Sequence, residues 1–246
     1  MPAVLVHGVP ETAELWDPLR AALSRTDIEA LRLPGFGTAR PEGFGATKEE
    51  YAAWLTGELE RLAGTGPVDL VGHDWGGGLV ARVVSLRADL VRTWASDAVG
   101  IATEGFAWHD LARIWQTPGD GEAFFDQQLA LGVDERAAGF EVFGVPHDDA
   151  RALAARVDPT MAGCILALYR SAVDVGREWA PAFRAVAAPG LALVAPDDPF
   201  GLVEGTQAAA EQAGCATATL AGCGHWWMLQ DPGGAAAVLE EFWAGS

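Results

Sequence analysis

The strongest chemical signal is Val68-Asp69-Leu70-Val71-Gly72-His73-Asp74-Trp75-Gly76-Gly77-Gly78, an apolar strand that enters Gly-x-Asp-x-Gly and then a helical pattern. Small residues on both sides of Asp74 permit a sharp strand-to-helix turn that lifts the central side chain above the sheet. A carboxylate there can serve as a nucleophile, and the helix amino terminus behind it favours its charged form. An Asp can also simply cap a helix, but capping gives no reason for the flanking glycines. A base is offered by Gly222-Cys223-Gly224-His225-Trp226-Trp227, where His225 follows the last strand. Enzymes built on such an elbow run nucleophile, acid, histidine along the chain. The acid should therefore follow the preceding strand, in Leu193-Val194-Ala195-Pro196-Asp197-Asp198-Pro199-Phe200. Asp198 is the first choice, Asp197 the second, and Asp97, after an earlier strand, the third; a plain turn before proline is the competing reading of the pair.

A further strand ends in His7-Gly8-Val9-Pro10-Glu11. On this pattern the backbone N–H groups of Val9 and Trp75 form an oxyanion hole, and His7 braces the loop. His73 reads as a brace of the elbow, His147 as a solvated loop residue, and His109 as a candidate pocket residue. No HExxH, EF-hand, GxxxxGK[ST] or strand-led GxGxxG pattern is present, so neither a metal nor a cofactor is expected.

These residues need a scaffold. Short apolar runs at Ala3–Val6, 28–33, 68–71, 93–98, 190–195 and 216–220 alternate with helical patterns at 47–62, 76–87, 204–213 and 234–243. Continuous rather than alternating apolar runs suit strands of a parallel sheet covered on both faces, hence an open α/β fold. Residues 99–188 break the rhythm with a long, aromatic-rich helical stretch. We read residues 1–98 and 189–246 as the core and 99–188 as a helical cap over the strand ends.

The chain has 246 residues, half of them apolar, and a net charge of −18. That charge makes nucleic acid and anionic membranes poor partners and a strongly anionic substrate less expected, although a local pocket can override it. Three cysteines without metal spacing (Cys164, Cys215, Cys223) suggest a reducing, cytoplasmic compartment. The start carries no signal-peptide pattern, and no apolar run approaches a membrane span.

His7-Gly8-x-Pro10, Leu33-Pro34-Gly35-Phe36-Gly37, Gly72-His73-Asp74-Trp75-Gly76-Gly77 and Gly224-His225-Trp226 together resemble the α/β-hydrolase fold superfamily. More narrowly, the chain is similar to its Asp-nucleophile branch of epoxide hydrolases and haloalkane or haloacetate dehalogenases, over nearly its whole length. Members usually begin with an antiparallel strand pair before the His-Gly strand. Here His-Gly stands at 7 and 8, so the expectation is about six parallel strands without that pair, with strand 28–33 at or near an edge. An exposed edge could be covered by a second subunit, so either a monomer or a homodimer is expected.

The resemblance implies a covalent mechanism in which Asp74 attacks an sp³ carbon and His225, oriented by Asp198, activates water against the resulting ester. Ile165-Leu166-Ala167-Leu168-Tyr169-Arg170 is similar to the epoxide hydrolase segment whose Tyr donates to the epoxide oxygen. Trp115-Gln116-Thr117-Pro118-Gly119 is similar to the stretch that follows the second such Tyr, whose place here is taken by Leu111, with His109 a possible substitute. A halide could instead rest on Trp75 and a cap tryptophan (Trp108, Trp115 or Trp179), although Val9 stands where many haloalkane dehalogenases have Asn. The haloacetate enzymes' His-Trp halide pair has no clear match. The expected substrate is a small hydrophobic epoxide, with a halide second, in an apolar pocket lined by some of Trp75, Phe106, Trp108, His109, Trp115, Tyr169 and Trp226. Two other readings stay open: a non-catalytic ligand-binding protein on this fold, and a carboxylesterase, for which Asp74 is a poor nucleophile.

Overall fold

The computed structural model describes residues 1–184, 186–200 and 202–246. Ala185, in the stretch assigned to the cap, and Gly201, in the carboxyl-terminal part of the core, lie outside the described residues. The strands are β1 (Ala3–Val6), β2 (Ile28–Leu31), β3 (Val68–Gly72), β4 (Val91–Ser96), β5 (Gly190–Val194) and β6 (Ala216–Thr219). They form one sheet in the order β2-β1-β3-β4-β5-β6, every pair parallel. This is the α/β-hydrolase architecture the sequence predicts, with β2 at an edge and no strand beyond it among the described residues.

Burial follows position in the sheet. The inner strands β1, β3 and β5 are buried at every residue, as strands covered on both faces must be. The edge strand β6 reads Ala-Thr-Ala-Thr and is mostly exposed. Helices α1 (Asp17–Ala22), α2 (Lys48–Leu62) and α3 (Trp75–Leu86) belong to the first half of the core. The start of α2 is fixed by a capping box, in which Thr47 Oγ1 accepts from Glu50 N–H and Glu50 accepts from Thr47 N–H at 3.0 Å. α3 is apolar almost all round and buried, as a helix wedged directly against the sheet has to be.

Between β4 and β5 the chain forms α4 (Asp110–Gln116), α5 (Asp120–Ala130), α6 (Val133–Glu141), α7 (His147–Arg156), α8 (Pro159–Arg170) and α9 (Val175–Phe183). The core closes with α10 (Leu202–Ala213), α11 (Trp227–Gln230) and α12 (Pro232–Ala244). One apolar cluster packs Leu55, Leu79, Trp94 and Phe183 on one side of the sheet; another packs Trp16, Trp227 and Leu239 on the other. Among the described residues no helix is long and apolar enough to cross a membrane.

The strand order reverses direction at β1: the chain moves outward to β2 and returns to β3 on the other side. Such a switch point opens a crevice at the carboxyl ends of the two strands. The loops that leave β1 and β3 there are His7-Gly8-Val9 and His73-Asp74.

Candidate active site

Asp74 joins β3 to α3 with φ 50° and ψ −122°, a conformation that costs a non-glycine residue about 1–3 kcal/mol. Close packing holds it there. A Cβ on Gly76 would run into the carbonyl of Val6, and one on Gly8 would run into the Asp74 carboxylate itself. The side chain makes no capping bond to α3. Instead its Oδ2 accepts the Val9 N–H at 2.9 Å, across the crevice. Trp75 begins α3, so its N–H has no acceptor within the helix. Of the two N–H groups expected to form an oxyanion hole, that of Val9 thus meets the carboxylate directly.

The His225 ring is buried, and its Nδ1 lies 2.8 Å from Asp198 Oδ2. Its other nitrogen makes no protein hydrogen bond among the described residues, and the ring lines a cavity together with Asp74. Asp197 is exposed and does not meet the ring. Asp97 does not meet it either: its Oδ1 accepts the Asp74 N–H at 2.9 Å, and its Oδ2 pairs with His73 Nδ1 at 2.5 Å and with the Trp227 indole at 2.6 Å.

His73 is fully buried between two carboxylates, since its Nε2 lies 3.1 Å from Glu11 Oε1. Glu11 ties three parts of the site together. It accepts from Gly8 N–H at 2.9 Å and from the Trp226 indole at 2.6 Å, besides holding His73. Sequence reasoning missed Glu11, although it stands in the quoted motif, because its partners His73 and Trp226 are 62 and 215 residues away. His7 braces its loop as a neutral ring: Nδ1 donates to Gly8 O at 2.8 Å and Nε2 accepts from Leu33 N–H at 3.1 Å. Burial lowers its pKa to about 4.

Burial is also the largest influence on the other titrating groups. It raises Asp74 to about 6, against the opposing pull of His225 and His73. It opposes a charge on His73, but Asp97 and Glu11 outweigh it and hold that ring well above the usual histidine range. For His225, burial and the neighbouring His73 push the pKa down, and Asp198 and Asp74 carry it above the ordinary value. Burial and then the Asp74 charge raise Tyr169 well above its usual range, so its phenol stays protonated.

The cavity over Asp74 has a volume of about 170 Å³ and is lined mainly by apolar side chains. Val9, His109, Leu111, Trp115, Tyr169, His225 and Trp226 reach it. Trp75, Phe106 and Trp108 face a neighbouring cavity of about 410 Å³, which shares Asp74, His109 and Phe200 with the first. Sequence reasoning missed Phe200, whose ring sits 4.7 Å from that of His225, and Arg136 on α6. His109 Nδ1 accepts the Ala112 N–H and so caps α4.

Tyr169 packs among Trp75, Trp108 and Trp115 at ring distances of 5.5, 5.0 and 4.8 Å. Of the tryptophans between β4 and β5, Trp108 donates its indole N–H to Ala172 O at 2.9 Å, and Trp179 donates to Glu49 at 2.8 Å. Trp115 Nε1 is buried without a partner, and Trp75 Nε1, beside the Tyr169 ring, meets no acceptor in hydrogen-bonding geometry. Glu11, His73 and His225 place potential metal-ligating atoms within 4.8 Å of one another. Both His73 nitrogens and both Glu11 oxygens already have protein partners, so these residues fit a hydrogen-bonded cluster rather than an open coordination site.

Residues 3–238 match the model of the alpha/beta hydrolase family. A 125-residue stretch is 34% identical to haloalkane dehalogenase 2 of Mycobacterium tuberculosis, covering 48% of this chain and 42% of that protein. A 95-residue stretch is 33% identical to (E)-2-((N-methylformamido)methylene)succinate hydrolase of Acinetobacter baylyi, covering 38% and 36%. The chain therefore matches less than half the length of these relatives. The fold is similar to that of an epoxide hydrolase from an endophytic Streptomyces (TM-score 0.74, 21% identity, 99% of this chain and 89% of the other). It is equally similar to a thermophilic esterase from Thermogutta terrifontis (TM-score 0.75, 18% identity, 100% and 90%). With the family match spanning nearly the whole chain, the protein belongs to the alpha/beta hydrolase family.

Proposed function

We propose that this hydrolase opens a small hydrophobic epoxide to a diol through a covalent ester on Asp74, without metal or cofactor. The observation that carries the reading is a buried Tyr169 phenol on the same apolar cavity as Asp74 and His225. The Asp74 carboxylate attacks one epoxide carbon from the rear, and the ring C–O bond breaks. The released alkoxide takes the Tyr169 proton. His225, oriented by Asp198, removes a proton from water, which adds to the carbonyl carbon of the ester. The oxyanion that forms lies against the N–H groups of Val9 and Trp75. Its collapse breaks the ester C–O bond, the departing alkoxide takes the proton held on His225 to complete the diol, and the proton left on the Asp74 carboxyl returns to the Tyr169 phenolate.

A second reading, halide displacement by the same carboxylate, is favoured by the unpartnered indole N–H groups of Trp75 and Trp115. A halide needs weak donors and no proton. His225→Gln should still allow attack but stall hydrolysis, so intact mass spectrometry should find the protein plus the whole of styrene oxide, or plus the butyl group of 1-bromobutane without bromine. Asp74→Ala should show neither adduct. Tyr169→Phe should impair epoxide opening far more than bromide release; equal loss would make Tyr169 a packing residue. A folded His225→Gln protein that no electrophile labels would point to a ligand-binding protein instead.

A further inference from the structure

Among the described residues that line the cavity over Asp74, Arg136 is the one permanent cation. Arg136 lies on α6 and lines the cavity. Its Nη1 donates to Leu131 O at 2.8 Å and Gln128 O at 3.4 Å, and its Nε donates to Ala154 O at 3.2 Å. These carbonyls, at the carboxyl end of α5 and in the last turn of α7, orient the guanidinium but do not neutralise it. Among the described residues no carboxylate pairs with Arg136, whereas most arginines of this acidic chain have one. Among the described residues Nη2 has no hydrogen-bond partner. The Gln128 side-chain amide, on the same cavity wall, also makes no hydrogen bond among the described residues.

The placement fixes how far this polar end is from the chemistry. Phe140 follows Arg136 by one turn of α6, about 6 Å along the helix axis. The Phe140 ring packs 5.4 Å from that of Trp226, the residue next to His225. The backbone of Arg136 thus stands one helical turn from Phe140, which packs on the aromatic wall beside the base. Leu111, Phe124, Phe125, Val157 and Phe140 line the same cavity.

A half-buried guanidinium with no carboxylate partner, set in a mainly apolar cavity wall, favours a ligand that supplies the opposite charge. We infer that the substrate carries a carboxylate several bonds away from the reacting carbon, held by Arg136 Nη2 and the Gln128 amide while the aliphatic part fills the cavity. This inference rests on the reading of the cavity as the substrate site.

The test is equilibrium binding of unreactive ligands by calorimetry at neutral pH and low salt, which does not depend on turnover. Hexanoate should bind the wild-type protein about tenfold or more tighter than hexan-1-ol, as expected for a hydrogen bond to a charged group. R136Q should remove that preference, while affinity for hexan-1-ol stays within about twofold. R136Q also loses the tie between α5 and α7, so a second variant guards against misfolding. Gly139 lines the cavity one turn from Arg136, and a Cβ there meets nothing within 4 Å. G139E should supply an internal counter-ion, leave the carbonyl bonds of Arg136 intact, and abolish the preference for hexanoate. Equal affinities in the wild type, or a preference that survives both variants, would overturn the inference. Arg136-dependent hexanoate binding in a protein that forms no Asp74 adduct would uphold the anionic ligand and refute the reaction.

Discussion

His73 and His225 stand with ring centroids 4.5 Å apart, each held by a carboxylate from a different strand end, yet their surroundings differ in one respect. Both nitrogens of His73 are committed, to Asp97 and Glu11, and the ring is sealed from solvent. Only Nδ1 of His225 is committed, to Asp198, and its ring borders the cavity that holds Asp74. The same residue type therefore serves two ends. A ring locked between two carboxylates is a fixed charge, whereas a ring with one free nitrogen can move a proton. The fixed charge also has a task. Its carboxylates hold the Gly8 and Asp74 N–H groups and the indoles of Trp226 and Trp227, so the loop after β1, the turn at Asp74 and the loop that carries His225 share one buried anchor.

The largest expected effect comes from exchanging the two rings for glutamine separately. H225Q should lower steady-state turnover by roughly 10²–10⁴-fold through loss of the general base, with little change in the urea midpoint. H73Q should behave in the opposite sense. It leaves Glu11 and Asp97 buried without their shared cation, which should cost about 3–5 kcal/mol in urea unfolding. If H73Q is as stable as the wild type, the buried cluster is not an anchor and the contrast between the two rings fails.

A smaller effect should separate the two tryptophans that follow His225. Trp227→Phe removes the indole bond to Asp97, and Trp226→Phe removes the one to Glu11. Each bond to a charged acceptor should be worth about 1.5–3 kcal/mol in unfolding free energy. Trp227 packs on the far side of the sheet with Trp16, so its loss should lower stability and spare KM. Trp226 lines the cavity, so its replacement should also raise KM. An unchanged KM in Trp226→Phe would show that the ring does not meet substrate.

The difference between the two histidines was only half legible in the sequence. Gly72-x-Asp74-x-Gly76 and the strand pattern announce the elbow, because a sharp turn needs small residues at fixed neighbouring positions, and Asp198 follows the end of β5 by four residues. The contacts of Asp97 are not legible that way. Its place after a strand made it a candidate acid, and only the three-dimensional neighbours show that it serves His73. Glu11 is harder still, since its role depends on segments that meet only after the sheet is assembled. The pocket aromatics show the same limit: Phe106 and Trp108 are as aromatic as Trp115, but they open on the neighbouring cavity. Composition supplies rings, and packing decides which space they face.

The smallest expected effect, a pH dependence, follows from the titration of these groups. Asp74, raised to about 6 by burial, must be ionised to attack, so the rate of adduct formation should fall as pH drops through about 6, approaching tenfold per unit below it. Hydrolysis of the ester needs neutral His225, whose pKa in the free enzyme lies above 6.5 through Asp198 and Asp74. Once Asp74 is esterified its charge is gone, so its upward pull on His225 disappears and the Asp198 contribution remains. Hydrolysis should therefore lose rate as pH falls through a His225 pKa lower than that of the free enzyme. His73 should contribute nothing to either profile, because Asp97 and Glu11 keep it protonated across the range. Rapid-quench mass spectrometry would resolve the two steps, and ring Cε1–H resonances would report each histidine. His225 should titrate in the free enzyme, with a midpoint that drops in Asp198→Asn, while His73 stays put. If the His73 resonance moves with the hydrolysis rate instead, the buried ring is part of the proton path and the division between the two histidines is wrong.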